Sequence, residues 1–273
     1  MKTNLKFLAG YLTLVFSALA VESTSDQLLV AQKKLNQNDY SGAVRVLDQA
    51  ITENPTQAEA YFLRATTREK QRDAISALVD YSEAIRLNVA DLRYYMARAD
   101  LLVGLDRYQE AVDDYSHAIA LHPVDYIGYQ KRASARGRLG QRNEALADFD
   151  LAIKLDPTAT SPYVARIEMF LSMNDTGAAL ASANDMVKLF PSCASAFHLR
   201  SLIKTATRER EDALADLDAT IQLSPDEPAY YKERAKLRAV VGDGDGAQND
   251  VAKYNALVRA GRNNPSYKVA STP

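Results

Sequence analysis

The chain has 273 residues, of which 47% are hydrophobic and 25% charged, and its net charge is −2. This composition supports a buried core and excludes a global electrostatic attraction to nucleic acid or anionic lipid. Nine prolines and eleven glycines are too few for the many tight turns of a β-sandwich, so we expect helices.

The first residues have the layout of a secretory signal peptide. Lys2 and Lys6 precede an uncharged run, 7–21, that contains the small-x-small sequence 18–20. Cleavage after Ala20 would make 1–20 a signal peptide and the chain exported, periplasmic or extracellular, with no membrane insertion afterwards. The alternative is an uncleaved membrane anchor, although the run is shorter than the roughly 20 apolar residues that span a bilayer. Cys193 is the only cysteine, so no internal disulfide is expected.

From Thr24 onward the sequence repeats every 34 residues without insertion, in rows 24–57, 58–91, 92–125, 126–159, 160–193, 194–227 and 228–261. Position 20 of each row is alanine: Ala43, Ala77, Ala111, Ala145, Ala179, Ala213 and Ala247. Position 4 is aromatic in six rows: Tyr61, Tyr95, Tyr129, Tyr163, Phe197 and Tyr231, with Gln27 in the first. Such columns indicate helices that approach closely at the alanines and are wedged by the aromatic rings.

Each row predicts two amphipathic helices, because positions 4, 8 and 11 share one helical face and positions 20, 24, 27 and 28 share another. Proline at position 32 ends the second helix in five rows, at Pro55, Pro123, Pro157, Pro191 and Pro225. Position 15, between the helices, holds residues that tolerate a left-handed turn: Asn38, Asp106, Gly140, Asn174 and Gly242. Arg72 and Arg208 occupy that position in rows two and six, which predicts turns of a different shape there.

These columns, with second-helix runs such as 108–115 and 143–150, resemble the tetratricopeptide repeat over residues 24–261. The resemblance implies an all-α fold, an α-solenoid wound as a right-handed superhelix of seven helix-turn-helix repeats. It also implies a scaffold that binds another protein or a peptide. Row seven, with Tyr254 and Asn255 where alanine and isoleucine are usual, is predicted to be a solvating cap. Residues 262–273 are predicted to be a disordered tail.

A charged ladder accompanies the repeat. Arginine stands at position 7 in rows two to seven and aspartate at position 23 in five of these rows. A row of guanidinium groups suits an acidic or phosphorylated ligand, whereas Arg–Asp pairs would hold the helices in register. Co-occurrence favours the structural interpretation, because charges at a packed face are rarely unpaired. The members are Arg64, Arg98, Arg132, Arg166, Arg200, Arg234, Asp80, Asp114, Asp148, Asp216 and Asp250, with Ser182 at position 23 of row five.

The resemblance further implies that positions 2, 5, 9, 12 and 13 of the first helices face a concave groove. An amphipathic mixture at these positions suits an extended or helical peptide with apolar anchors; the alternative is that each is a solvated helix position. The candidates are Glu59, Phe62, Thr66, Glu69, Lys70, Arg93, Met96, Asp100, Val103, Ile127, Gln130, Ser134 and Arg138, with Lys232 and Lys236 in row seven.

No catalytic, metal or cofactor site is predicted. His117, His122 and His198 lack the i, i+4 spacing of a helical metal site, and the glycine-aspartate run 242–246 lacks the other ligands of a calcium loop. We therefore expect a non-enzymatic chain without a cofactor and without a nucleic-acid partner. The alternative function is a membrane-tethered accessory or assembly subunit of an envelope enzyme or secretion complex.

Overall fold

A computed structural model describes residues 25–263. The predicted signal peptide and residues 264–273 of the predicted tail lie outside these residues. Within 25–263 the chain forms helices and no strands, and none of these helices is long and apolar enough to cross a membrane. The helices are α1 (25–36), α2 (Tyr40–Glu53), α3 (Ala58–Lys70), α4 (Ala74–Leu87), α5 (Leu92–Gly104), α6 (Tyr108–Leu121), α7 (Tyr126–Arg138), α8 (Arg142–Leu155), α9 (Ser161–Ser172), α10 (Thr176–Leu189), α11 (Ala194–Ala206), α12 (Arg210–Leu223), α13 (Pro228–Val241) and α14 (Gly244–Asn263).

The chain divides into two compact units between Leu155 and Asp156. Unit 1 contains the four repeats built from α1 to α8, and unit 2 contains the three repeats built from α9 to α14. Within each unit, from α2 onward, the two helices of a repeat pack on each other and the second packs on the first helix of the following repeat. Each unit is therefore a helical solenoid. The last helix ends at Asn263, two residues beyond the predicted end of the seventh repeat.

All seven turns between paired helices place the residue at position 15 in the left-handed region. Arg72 has a φ of 64° and Arg208 a φ of 69°, close to the 58° of Asp106. The prediction of differently shaped turns at the two arginines was wrong. The reason is that the end of the first helix imposes the geometry: the N–H of Asp73 bonds to the carbonyl of Arg68 at 2.9 Å, and that of Arg72 to Glu69 at 2.9 Å, which is the Schellman pattern.

The repeated prolines act together with the aromatic residues of position 4. Each second helix that precedes such a proline stops two residues before it, as α6 does at Leu121 before Pro123. The hydroxyl of Tyr129 then donates to the carbonyl of Pro123 at 3.2 Å, and Tyr61, Tyr163 and Tyr231 make the same bond to their prolines. The aromatic ring therefore fixes the loop between repeats as well as filling the core.

The alanines of position 20 are fully buried in the first six repeats, so the paired helices approach closely. The cleft that remains between the two helices of a repeat receives side chains from the next first helix. In unit 1, Ala97 and Leu101 of α5 pack on Ala65, Ala77 and Tyr81. In unit 2, Leu237 of α13 packs on Ala213 and Leu217 of α12. The core of each unit is thus built from clefts that are filled wherever a further repeat of the same unit follows.

Candidate functional site: a charged ladder and two grooves

The arginine at position 7 grips the aspartate 16 residues later in five repeats. Its Nε lies 2.7–2.9 Å from one carboxylate oxygen and its Nη2 2.5–2.8 Å from the other. Two parallel bonds of this kind form the strongest arrangement available to an arginine and a carboxylate. The aspartates are all buried. The pairs are Arg64–Asp80, Arg98–Asp114, Arg132–Asp148, Arg200–Asp216 and Arg234–Asp250.

The remaining guanidinium nitrogen, Nη1, reaches back to the preceding repeat. Nη1 of Arg64 donates to the carboxylate of Asp48 at 2.7 Å, and Nη1 of Arg98 donates to the hydroxyl of Ser82 at 2.9 Å. The other three arginines bond in the same way to Ser116, Asn184 and Asp218. Each of these arginines therefore joins three helices: its own, its partner and the second helix of the repeat before.

A second cation neutralises four of the buried carboxylates from one helical turn further along. Nη1 of Arg68 lies 2.7 Å from Oδ2 of Asp80, and Nζ of Lys204 lies 3.0 Å from Oδ2 of Asp216. Arg136 and Arg238 do the same for Asp148 and Asp250. Because a buried charge is stable only when it is paired and hydrogen-bonded, these pairs satisfy the carboxylates of the ladder within the fold.

The fifth repeat is built differently. Ser182, a buried serine, stands at the position that aspartate occupies elsewhere. The guanidinium of Arg166 still lies over the ring of Tyr163, with 6.0 Å between its Cζ atom and the ring centroid. Arg64, Arg132, Arg200 and Arg234 lie over their position-4 rings at 5.5–5.7 Å. Stacking of arginine on the aromatic ring is therefore common to repeats with and without the aspartate.

The groove of unit 1 is a pocket of about 680 Å³ between α5 and α7, lined by charged and hydroxyl side chains together with Val103 and Ala135. Asp100 is its central charge: it accepts two bonds from Nζ of Lys131, at 2.6 and 2.7 Å, and one from the hydroxyl of Tyr115 at 2.6 Å. Nε of Arg138 donates to the hydroxyl of Tyr108 at 3.2 Å. The central carboxylate of this groove already has protein partners.

Three tyrosines of unit 1 donate to carboxylates of the first helices. Tyr115 bonds to Asp100, and the hydroxyls of Tyr81 and Tyr94 lie 2.9 Å from Glu69 and 3.0 Å from Glu59. Burial raises the pKa of each of the three hydroxyls, and the neighbouring carboxylates raise it further. The tyrosines therefore stay protonated near neutral pH and act as donors that orient the carboxylates.

The groove of unit 2 is a pocket of about 320 Å³ between α11 and α13. Its lining includes Leu202, which is 42% exposed, and Val240, which is 62% exposed. Glu233 at the edge has a partner, since its carboxylate lies 2.7 Å from Nε2 of His198. The exposed side chains of this groove include two large aliphatic ones, Leu202 and Val240, although the charged Arg210 and Lys236 also line it.

Comparison with solved structures identifies the architecture. A tetratricopeptide repeat protein from Parabacteroides merdae superposes with a TM-score of 0.65 at 16% identity, covering 86% of this chain and 93% of that one. The chain has the tetratricopeptide-repeat fold. PilF of Pseudomonas aeruginosa is similar, with a TM-score of 0.59 at 16% identity over 80% of this chain and 99% of that one. The protein MamA is also similar, with a TM-score of 0.57 at 18% identity over 62% of this chain and 93% of that one.

At the level of sequence, a family model described as a bacterial transcriptional activator domain matches residues 25–158. That range contains the four tetratricopeptide-type repeats of unit 1. No curated protein sequence matches the chain. The family match and the structural similarities agree on helical repeats, and at these identities the solved structures show the fold alone.

The tetratricopeptide resemblance placed fifteen residues in a groove, and the structure distributes them over several environments. Asp100, Gln130, Ser134 and Arg138 line the groove of unit 1, as does Val103. Glu59 pairs with Nη2 of Arg93 at 2.8 Å, Glu69 accepts from Tyr81, and Thr66 donates to its own helix. Lys70 is exposed and Ile127 is 40% exposed.

Phe62 and Met96 are half-buried and pack against the core clusters. The ring of Phe62 lies 4.9 Å from that of Tyr94 and 5.9 Å from that of Tyr81. Position 5 borders the helix of the next repeat, so a large apolar side chain there gains more by burial than by exposure. These two residues belong to the wall that supports the groove.

Four polar groove residues were missed by sequence reasoning: Asp106, Tyr108, Tyr115 and Lys131. Tyr115 stands at position 24, where the repeated pattern indicated only core packing. Lys131 stands at position 6, which holds Leu63 in row two and Ala97 in row three. A column that mixes apolar and charged residues carries no signal for groove lining, so only the structure could place Lys131 beside Asp100.

His117, His198 and the cysteine have local partners. His117 stacks on Tyr95 with 5.3 Å between the ring centroids, and Sγ of Cys193 lies 3.0 Å from the hydroxyl of Ser195. Among residues 25–263, no group of three histidine, cysteine or acidic side chains is arranged to hold a metal ion.

Proposed function

We propose that this chain is an exported, non-catalytic scaffold that binds segments of another protein in the grooves of its repeats. The observation that carries the proposal is that the ladder charges are paired within the fold, whereas aliphatic side chains in a groove remain exposed. Five ladder arginines are committed to holding helices together, while the groove between α11 and α13 keeps Leu202 and Val240 exposed. Exposed aliphatic side chains in a concave site are suited to an apolar anchor of a peptide.

Site-specific photo-crosslinking in the native host tests the groove. A photoreactive amino acid would replace Leu202 in the groove of unit 2 or Ser134 in that of unit 1. Matched positions outside both grooves are Val79 and Asp113, which are also exposed. We expect discrete protein adducts from the groove positions and none from the matched positions. Equal labelling at all four positions, or no adduct from either groove position, would contradict the proposal.

Export is tested by the mass of the N-terminal peptide of the chain purified from its host. A chain that starts at Val21 and is released with the extracytoplasmic fraction supports the proposal. A chain that keeps Met1 and sediments with membranes would replace it with the alternative, a tethered accessory or assembly subunit. A released chain and a tethered chain would both bind their partner through the groove residues. This measurement therefore tests where the protein is located and does not test how it binds.

A further inference from the structure

The last repeat has an open cleft between its two helices. The space is about 560 Å³, with Ala235 and Ala239 of α13 and Ala247 and Val251 of α14 among its lining residues. Val251 is 47% exposed. We call this site the end cleft. It lies entirely within unit 2 and is separate from the groove between α11 and α13, although Lys236 borders both.

The corresponding cleft is filled in other repeats. Position 24, which Val251 occupies in the last repeat, is at most 2% exposed at Leu47, Tyr81, Tyr115, Phe149 and Leu217. In repeat two the filling side chains are Ala97 and Leu101, four residues apart on the next helix. The end cleft therefore resembles one half of a helix–helix interface, and the helix that fills the equivalent cleft of repeat two carries a small residue and a leucine at i and i+4.

The positive charge around the end cleft favours helices that carry negative charge beside their apolar face. Lys232 and Lys236 stand at its edge, and none of its lining residues carries a carboxylate. Nζ of Lys232 lies 5.7 Å from the centroid of the Tyr254 ring, which the same cleft includes. An apolar floor with a positive edge complements a helix whose apolar face is flanked by carboxylates.

We propose that the end cleft binds an acidic amphipathic helix of a partner protein, with a small residue and a leucine at i and i+4 facing Val251. A second copy of this chain fits less well. Its unpaired first helix, α1, carries Leu29 and Lys33 at the positions of Ala97 and Leu101. A lysine inserted there would bring a third cation beside Lys232 and Lys236.

Two synthetic helical peptides of about 20 residues test the charge preference in titrations of the full chain. Both carry the alanine and leucine spacing of α5, one with flanking glutamates and the other with flanking lysines. We expect the glutamate peptide to bind at least about fivefold more tightly, with the difference shrinking as salt is added. The double substitution Lys232→Glu and Lys236→Glu should reverse the preference. Absence of binding, or equal binding of both peptides, would overturn the proposal.

A second variant tests the position of the site. Val251→Asp places a charge on the cleft floor and should weaken binding of the glutamate peptide about tenfold or more. The matched control is Val79→Asp, because Val79 is 64% exposed on α4 and should leave binding unchanged. Leu202→Asp in the groove of unit 2 should also leave binding of the glutamate peptide unchanged. The proposal for the end cleft and the proposed function of the groove can therefore be refuted independently.

Two other occupants would overturn the proposal. Self-association of the chain that Val251→Asp abolishes would assign the end cleft to a second copy. Peptide binding that occurs only after removal of residues 264–273 would assign it to that segment. Sedimentation over a range of concentrations and titration of the shortened chain read out these two results.

Discussion

The two units share one scaffold and differ in what their grooves offer. Both contain the Arg–Asp ladder with the same fork geometry, as Arg132 does in unit 1 and Arg200 in unit 2. In unit 1 the groove carboxylate Asp100 is held by Lys131, whereas in unit 2 the groove exposes Leu202. The ladder arginines and aspartates are thus separate from the residues that line the two grooves, so groove chemistry can change without cost to the ladder.

The largest expected effect is the loss of stability when a buried ladder carboxylate is removed, and it can be compared between the two units. Asp148→Ala leaves the guanidinium groups of Arg132 and Arg136 without their acceptor and should destabilise unit 1 by about 3–5 kcal/mol. Asp216→Ala should do the same to unit 2. Urea unfolding followed by circular dichroism measures both losses, with the exposed Asp113 changed to alanine as the control. A loss below about 1 kcal/mol would show that the ladder does not hold the helices.

Leu202→Asp should weaken binding of the partner captured in the groove of unit 2 about tenfold, because the charge prevents burial of an apolar anchor. Stability should change by less than about 0.5 kcal/mol, since surface substitutions are usually tolerated. Isothermal titration with the captured partner measures the affinity, and Val79→Asp serves as the control. Unchanged affinity would mean that the aliphatic groove of unit 2 is not the contact surface.

Lys131→Ala sharpens the difference between the grooves. The substitution removes the cation from Asp100 and leaves the bond from Tyr115, so the groove of unit 1 gains a free negative charge. An oligolysine peptide should then bind about threefold more tightly at low salt. Lys154→Ala, which removes the same charge from an exposed site on α8, should have a smaller effect. Equal gains would show that only net charge matters.

The smallest expected effect concerns the turns that the two units share. Arg72 in unit 1 and Arg208 in unit 2 hold positive φ angles, which disfavour a side chain with Cβ. Replacing either with glycine should raise the free energy of unfolding by up to about 1 kcal/mol. Gly242→Ala, at a φ of 89°, should lower it by a similar amount. Thermal unfolding monitored by circular dichroism compares them, and destabilisation by both arginine substitutions would contradict the explanation.

Much of the scaffold could be predicted because its determinants recur at fixed spacing. Ala43 and its six equivalents indicated where helices pack closely, and Pro123 and its equivalents indicated where second helices end. The third bond of each ladder arginine could not be predicted. Its acceptor varies from Asp48 to Ser82 to Asn184, and only their common place relative to the arginine makes them equivalent.

The groove was predicted less well, because exposure there depends on neighbours in other repeats. The repeat positions made both Phe62 and Asp100 candidate groove residues. In the structure Phe62 is half-buried against a core cluster, whereas Asp100 lines the pocket. By itself, the sequence determined the repeat, the ends of the second helices that precede a proline and the charges available for pairing. Only the tertiary structure decided which charges are paired and which apolar side chains stay open, because both depend on side chains that are brought together from different helices.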